Sequence, residues 1–417
     1  MSLFSNLTIL VSVLVVIVTA WFTLRSKWRV YNICDDFIYY LDGKVLYVSV
    51  HLTNDVTKFK NQVIQLANFI HEYPNHTIVV MGDWNAVVHD NVHKTGLIFL
   101  SKDDGTIQCK IDFGRLTSAG ILDGATTCKK RILTAQGKKI LDQAQSSIDN
   151  CFVVYPQGSI FNNISTKTEI KIFDKIVERN VLAPVNYPSD HYAVNRVINL
   201  MNGETHHSLT WNVLGESVGV NALNWGEFLP ADINLQSNIR EIINEVINAQ
   251  PDIDGKKFGD LLNNKGISSK TRYSRICNIH PVPKIPENYQ TLSVKKFMKE
   301  INDELTKESV ELNKESQDVH VCARALVNFW NDLYNHKDLK EFFINWFILV
   351  AERPKITFDK VLDGYLKKGD LNVIALQEVS KPMISVLVAL VSNHPSYKLI
   401  YDKNATTKTR GALIVHV

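Results

Sequence analysis

Six short polar motifs stand at the ends or starts of apolar, strand-like runs. His51-Leu52 follows VLYVSV, Gly82-Asp83-Trp84-Asn85 follows TIVVM, and Gln377-Glu378 follows NVIAL. Asn212 lies in SLTWNVL, Asp149 opens DNCFVV, and Ser189-Asp190-His191 precedes YAV. If these groups converge, Glu378, Asp190 and Asn212 supply hard oxygen ligands, a set that suits Mg²⁺ or Mn²⁺ rather than zinc. Asp83 and Asn85 are two apart on one turn, so one can activate a water while the other orients it or a phosphate. His51 and His191 can donate to phosphoryl oxygens as negative charge builds. A buried Asp149 would fix the tautomer of His191 and raise its pKa. Together this is equipment for metal-assisted hydrolysis at phosphorus.

Each motif alone has a plainer reading. Gly-Asp-x-Asn is a common turn, Ser-Asp-His serves as a helix cap or loop, and Gln-Glu after a strand is usually exposed. Asn212 alone is a polar strand end. Their joint placement at strand ends is what points to a site.

The set resembles the endonuclease/exonuclease/phosphatase superfamily, and the likeness covers about 30–200, 208–217 and 353–417. Through TWNVL, IALQEV and Gly411-Ala412-Leu413-Ile414-Val415 it looks most like the deadenylase-like branch. The resemblance implies an α/β fold, a two-layer β-sandwich flanked by helices of the DNase-I-like kind. It implies that Glu378 binds Mg²⁺ (Mn²⁺ being possible) with Asn212 and Asp190. Asp83 would position or deprotonate the attacking water beside Asn85. His191, held by Asp149, would contact the scissile phosphate, and His51 would stabilise the transition state.

The order of the motifs departs from that family. The half from His51 to His191 precedes the half from Asn212 to Val417, which reads as a circular permutation. Joining old termini costs little where they are close and exposed. Between Asn212 and Glu378 lie 165 residues, far more than the family spends there. The expected organisation is therefore an N-terminal segment 1–27, one half-domain over 28–200, the other over 208–217 and 351–417, and a helical insertion over 218–350. A single site then requires the Asp83 and Glu378 carboxylates to lie within about 10 Å in one chain.

The elements that must position these groups are partly legible. Phe37–Leu41 and Lys44–Val50 read as strands joined by Asp42-Gly43, a type I′ hairpin signal. Phe59, Val63, Leu66, Ala67 and Ile70 recur at helical spacing. Strands are expected at 77–81, 148–154, 209–214, 372–376 and 412–417, with a polar linker at 201–207. Helical stripes run through Ile239, Ile242, Ile243, Val246 and Ile247, and through Val294, Phe297, Ile301 and Leu305 after a Ser293 cap. A last helix is expected over 355–368.

Bulk properties constrain the partner. A net charge of +3 and a 45% hydrophobic composition fit a globular chain and permit a polyanionic partner. Six cysteines without a C-x-x-C pair argue against structural zinc and for a reducing compartment. Leu3–Leu24 is 22 residues without a charge, followed by Arg25, Lys27 and Arg29. That pattern predicts a single-pass membrane anchor with the catalytic body facing the cytosol.

The expected activity is a Mg²⁺-dependent phosphodiester or phosphomonoester hydrolase, first a nuclease. Lys129-Lys130-Arg131, Lys138-Lys139, Lys408 and Arg410 are candidates to track a nucleic-acid backbone. A phospholipid or inositol-phosphate phosphodiesterase is the second reading, and a non-catalytic tethered scaffold the third. A site completed only between two chains is the fourth.

Overall fold

The structure, a computed structural model, describes residues 37–53, 55–90, 97–101, 107–119, 128–133, 141–146, 148–159, 166–172, 175–176, 189, 191–200, 203–213, 241, 245, 281–313, 317–404 and 409–417. β1 (Phe37–Asp42) and β2 (Val45–His51) form a hairpin, and α1 (Val56–His71) leads to β3 (Thr77–Asp83). β4 (Val87–Asp90), β5 (Leu97–Ser101) and β6 (Ile107–Asp112) make a small antiparallel sheet, followed by β7 (Thr117–Ala119). β8 (Cys128–Leu133) and β9 (Leu141–Ser146) form a separate ribbon before β10 (Asp149–Val154). β11 (Thr166–Ile172), β12 (Lys175–Ile176), β13 (Ala193–Asn199) and β14 (Thr205–Asn212) follow. The helices α2 (Leu292–Leu312), α3 (Gln317–Asn335), α4 (Lys340–Lys355) and α5 (Asp363–Lys368) precede β15 (Val373–Ser380), with a π-helical turn at Ile356–Leu362. α6 (Lys381–Ser392), β16 (Tyr397–Tyr401) and β17 (Thr409–His416) close the chain.

Two sheets dominate. One has the order β1-β2-β3-β10-β7, the other β12-β11-β13-β14-β15-β17-β16. They share an apolar layer in which Ile38, Tyr47, Val79, Met81 and Val153 meet Ile198, Val373, Ala375, Leu413 and Val415. The alternate residues of β3, Ile78 and Val80, pack outward with Phe59, Val63, Leu66 and Ile70 of α1. Covering both faces explains why these central strands are continuously apolar rather than alternating. β15 repeats the pattern, with Ile374 and Leu376 facing a second outer cluster that includes Met383 and Leu387 of α6.

Local sequence accounts for several boundaries. The Asp55 carboxylate caps α1 by accepting from the Thr57 and Lys58 N–H groups at 3.0 Å each. Gly82, at φ 151°, lies in register with Val50 of the parallel neighbour, and a Cβ there would sit 1.9 Å from the Val50 carbonyl oxygen. Only glycine fits that approach.

Several expectations are corrected. The β1–β2 turn is Gly43-Lys44, since Asp42 pairs with Val45; Gly43 has a positive φ and Lys44 does not, so a type I′ turn is not formed. The expected linker at 201–207 ends in strand: Thr205, His206 and His207 pair with Asn199, Ile198 and Val197. Polar residues hid it, because this strand end, exposed at Thr205 and half-buried at His206 and His207, has no alternating apolar face. The cap of α2 is Thr291, whose Oγ1 accepts from the Val294 N–H, rather than Ser293. The Ile239–Ile247 stripe lies outside the described residues, apart from helical positions 241 and 245. The single-pass membrane localisation with a cytosol-facing body is not upheld. No helix among the described residues is long and apolar enough to cross a membrane, and segment 1–27, the expected anchor, lies outside them.

Two polar contacts bridge the sheets away from the strand ends that carry the motifs. The buried Arg196 guanidinium of β13 donates to the Cys151 carbonyl and to Ser118 on the other sheet. The Tyr47 hydroxyl meets His206 Nδ1 at 2.6 Å. Burial pushes His206 below its ordinary value of 6.5, and Glu204 and Asp42 oppose that shift while His207 adds to it. The unfolded chain therefore takes up the proton first as pH falls, and stability is lost below about pH 6.5. Urea midpoints of the wild type are expected to fall between about pH 7.5 and pH 5.5, and to fall less in His206→Gln. Equal falls would show that His206 is not responsible. Gly82→Ala is expected to give no cooperative thermal transition by circular dichroism; a wild-type melting curve would contradict the clash with Val50.

Candidate functional site

Both main sheets contain one parallel strand pair, and both pairs end at the same edge. β2 and β3 run parallel, so His51 and Asp83, their last residues, stand in register. β10 runs antiparallel to β3, which places its first residue, Asp149, opposite Asp83. In the facing sheet β14 and β15 are parallel, with Asn212 in register with Gln377. Period-two alternation then turns Tyr47, Ser49 and His51, and likewise Val79, Met81 and Asp83, toward the layer between the sheets.

Glu378 does not follow from alternation. Leu376 faces the outer core, so regular pleating would send Glu378 to that apolar face as well. A register shift between Leu376 and Val379 prevents this, and Glu378 takes a φ of 54°. The bulge returns Val379 to the outer core and aims the carboxylate between the sheets. Asn85 has a φ of 46°, a conformation that asparagine tolerates. Left-handed non-glycine residues cost about 1–3 kcal/mol each and persist where surrounding contacts impose them.

Asp83 is the hub. It is 2% exposed. Its Oδ1 accepts from the Asn85 N–H at 2.8 Å, and its Oδ2 accepts from Asn212 Nδ2 at 3.0 Å. His51 Nε2 and His191 Nε2 lie 3.8 and 3.9 Å from the same Oδ2. Asn212 Nδ2 also donates to Glu378 Oε1 at 3.0 Å, and His51 Nε2 is 3.3 Å from that oxygen. On the other flank His191 Nδ1 lies 2.9 Å from Asp149 Oδ2. Burial acts to raise the Glu378 carboxyl. The hydrogen bond and charge of His51, the Asn212 amide and the charge of His191 outweigh it and hold the carboxyl down at about 2.

His51, Asp83 and Glu378 offer ligand atoms within 4.8 Å of one another, as do Asp83, Asp149 and His191. This buried acidic and histidine cluster could hold a metal ion. Two carboxylates on either side of one amide are the donor chemistry a hard divalent cation requires.

Seven of the eight residues singled out from sequence meet here: His51, Asp83, Asn85, Asp149, His191, Asn212 and Glu378. Asp190 lies outside the described residues. Two expected orientations differ. Asn212 presents its amide nitrogen, not its oxygen, to both carboxylates, because two adjacent anions need a donor between them. Asn85 Nδ2 donates to the Leu52 carbonyl at 2.6 Å, tying the turn after β3 to the segment after His51. Arg410 is also corrected as a phosphate-tracking group: it is 9% exposed and donates to the Asp402 carbonyl. Lys138, Lys139 and Lys408 lie outside the described residues.

Sequence reasoning missed the groups that orient this set. Ser189 Oγ donates to the Asn212 carbonyl and accepts from the His191 N–H, and Trp211 Nε1 donates to the His191 carbonyl. The serine of Ser-Asp-His was a visible signal; the tryptophan was not, because its partner is a backbone atom.

No family model matches the chain, and no curated protein matches it. Among solved structures it is similar to truncated TDP2 from Caenorhabditis elegans, at 14% identity over 39% of this chain and 58% of that one, with a TM-score of 0.23. A further C. elegans TDP2 structure matches at 16% identity over 39% and 45% of the two chains, with a TM-score of 0.24. The chain thus spans little more than half of the first and less than half of the second. At these scores the likeness carries no argument about function.

The site geometry makes one prediction that needs no substrate. His51→Gln removes the principal group lowering the Glu378 carboxyl, so burial should dominate and the pKa should rise above about 2. Carbon-13 carboxyl shifts followed through an acid titration measure this. An unchanged Glu378 titration would show that His51 does not set its charge.

Proposed function

We propose that this chain is a metal-dependent phosphodiesterase of the endonuclease/exonuclease/phosphatase kind, with its single site assembled from two half-domains in swapped order. The observation that carries this reading is the ring of groups around Asp83. His51, Asp149 and His191 come from one half of the chain, Asn212 and Glu378 from the other, and all surround one carboxylate within one chain. That arrangement also favours the permuted sandwich, with halves at 28–200 and at 208–217 plus 351–417, and an insertion at 218–350. A site completed between two chains is not needed.

Glu378, with Asn212 and Asp190, would hold Mg²⁺ or Mn²⁺, which when bound polarises a phosphoryl oxygen and neutralises developing charge. Ligation through the Asn212 oxygen requires its amide to turn over. Asp83 is placed to orient a water and accept its proton, with the Asn85 N–H fixing one carboxylate oxygen. His191 directs Nε2 into the site because Nδ1 is engaged by Asp149, so it can donate to a phosphoryl oxygen. His51 stands beside Glu378, where it can donate to negative charge in the transition state.

Nucleic acid is the proposed substrate class, in keeping with a mildly basic chain. The phospholipid and inositol-phosphate readings leaned on the N-terminal anchor and have no other support. Nothing favours the deadenylase-like branch over others in the superfamily.

The full chain incubated with labelled RNA and DNA in Mg²⁺ or Mn²⁺ is expected to cleave, and EDTA to stop it. Glu378→Gln and Asp83→Asn should each lower kcat by about 100- to 10,000-fold. Absence of EDTA-sensitive turnover on both nucleic acids, with the protein folded, would favour a binding scaffold.

A further inference from the structure

Beneath the site lies a polar layer that the proposed chemistry does not use. Gln377 is fully buried between the sheets. Its side-chain oxygen accepts from Thr210 Oγ1 at 3.2 Å, on the neighbouring strand of its own sheet. Its Nε2 donates to Ser49 Oγ at 3.1 Å, on the opposite sheet. Its main-chain carbonyl accepts from the Val213 N–H at 3.1 Å. Ser49 and Thr210 are themselves buried.

The layer between the sheets is therefore stratified. Apolar side chains such as Tyr47, Met81, Ala375 and Leu413 form the floor. Ser49, Gln377 and Thr210 come next, and His51, Asp83, Asn212 and Glu378 lie above them. Each member of the middle tier sits one inward position before a site residue on β2 and β14, or directly before one on β15. Opposite the bulge β17 carries Gly411, where a Cβ would lie 3.1 Å from Ile38 Cγ2 and 3.8 Å from Ser49 Oγ. A side chain at that position would crowd Ile38 and reach the Ser49 hydroxyl.

Packing alone does not require this tier, since replacing all of its hydrogen-bonding partners together by apolar groups of the same shape can be nearly neutral. Hydrogen bonds differ from apolar contact in being directional. A slide of one sheet past the other, or a collapse of the bulge, breaks them at once and leaves buried polar groups unsatisfied. We infer that Gln377 is a positioning residue for Glu378: by bridging Ser49 and Thr210 it holds the β15 bulge in the conformation that aims the carboxylate at Asn212 and His51. The inference rests on the reading of Glu378 as a metal-holding group, and it is testable apart from that reading.

The full-length wild type, Gln377→Met, Thr210→Val and Thr210→Ser are compared by three measurements. These are Mn²⁺ titration followed by electron paramagnetic resonance, amide hydrogen exchange across 376–380 without metal, and thermal unfolding. Gln377→Met and Thr210→Val are expected to weaken Mn²⁺ binding by about 10- to 100-fold, as loss of groups that orient a ligand does. They should also speed exchange at 376–380 more than elsewhere, with the melting temperature lowered by only a few degrees, because each leaves buried polar partners unpaired. Thr210→Ser, which keeps the hydroxyl, should behave as wild type. Wild-type affinity and exchange in both Gln377→Met and Thr210→Val would overturn the inference, as would exchange that rises uniformly over β2, β3 and β15. A wild type that binds no Mn²⁺ would sink the metal-centre reading instead, and local exchange at 376–380 would still decide the role of Gln377.

Discussion

The site depends on two parallel strand pairs, one in each main sheet, finishing at the same edge of the layer they share. Parallel neighbours present their last residues side by side, so β2 and β3 deliver His51 next to Asp83, and β14 and β15 deliver Asn212 next to Gln377. Neither pair suffices alone. The carboxylates of Asp83 and Glu378 come from opposite sheets and are joined through one Asn212 amide. The contacts between the sheets thus set the geometry of the chemistry.

Those contacts change in character along the strands. Away from the site the layer is apolar, with the buried Arg196 guanidinium and the part-buried Tyr47–His206 contact as directional links. Close to the site it becomes fully polar through Ser49, Gln377 and Thr210. Apolar burial supplies the non-directional drive to bring sheets together. Polar contacts select one register, and that selection matters most where ångström-scale placement of carboxylates is required.

Strain is concentrated at the same place. The two non-glycine residues at positive φ among the described residues, Asn85 and Glu378, both belong to the site. Gly82, one residue before Asp83, is held against Val50 where no side chain fits. A regular pleat cannot send both Leu376 and Val379 outward while sending Glu378 inward, so the bulge is the cost of combining a closed core with an inward carboxylate.

Much of this was legible in the residues themselves. Apolar runs ending in His51, Asp83 and Glu378 marked buried strands with polar termini, and the spacing of Phe59, Val63, Leu66 and Ile70 marked α1 and its buried face. The residue types also narrowed the chemistry, because hard oxygen donors beside histidines suit few tasks. Three things were not legible. The strand at Thr205–His207 was read as linker, because its polar residues earn their place through ladder hydrogen bonds rather than apolar burial. The amide orientation of Asn212 depends on two anions, 129 and 166 residues away, that flank it. The inward turn of Glu378 contradicts the alternation of its own strand and exists because Gln377, β17 and the facing sheet impose it. Local sequence determines which residues are fit for the chemistry and which strands present them, since propensity and periodicity act over a few residues. Which of them meet, and facing which way, is decided by contacts between segments hundreds of positions apart, and only the tertiary structure contains those.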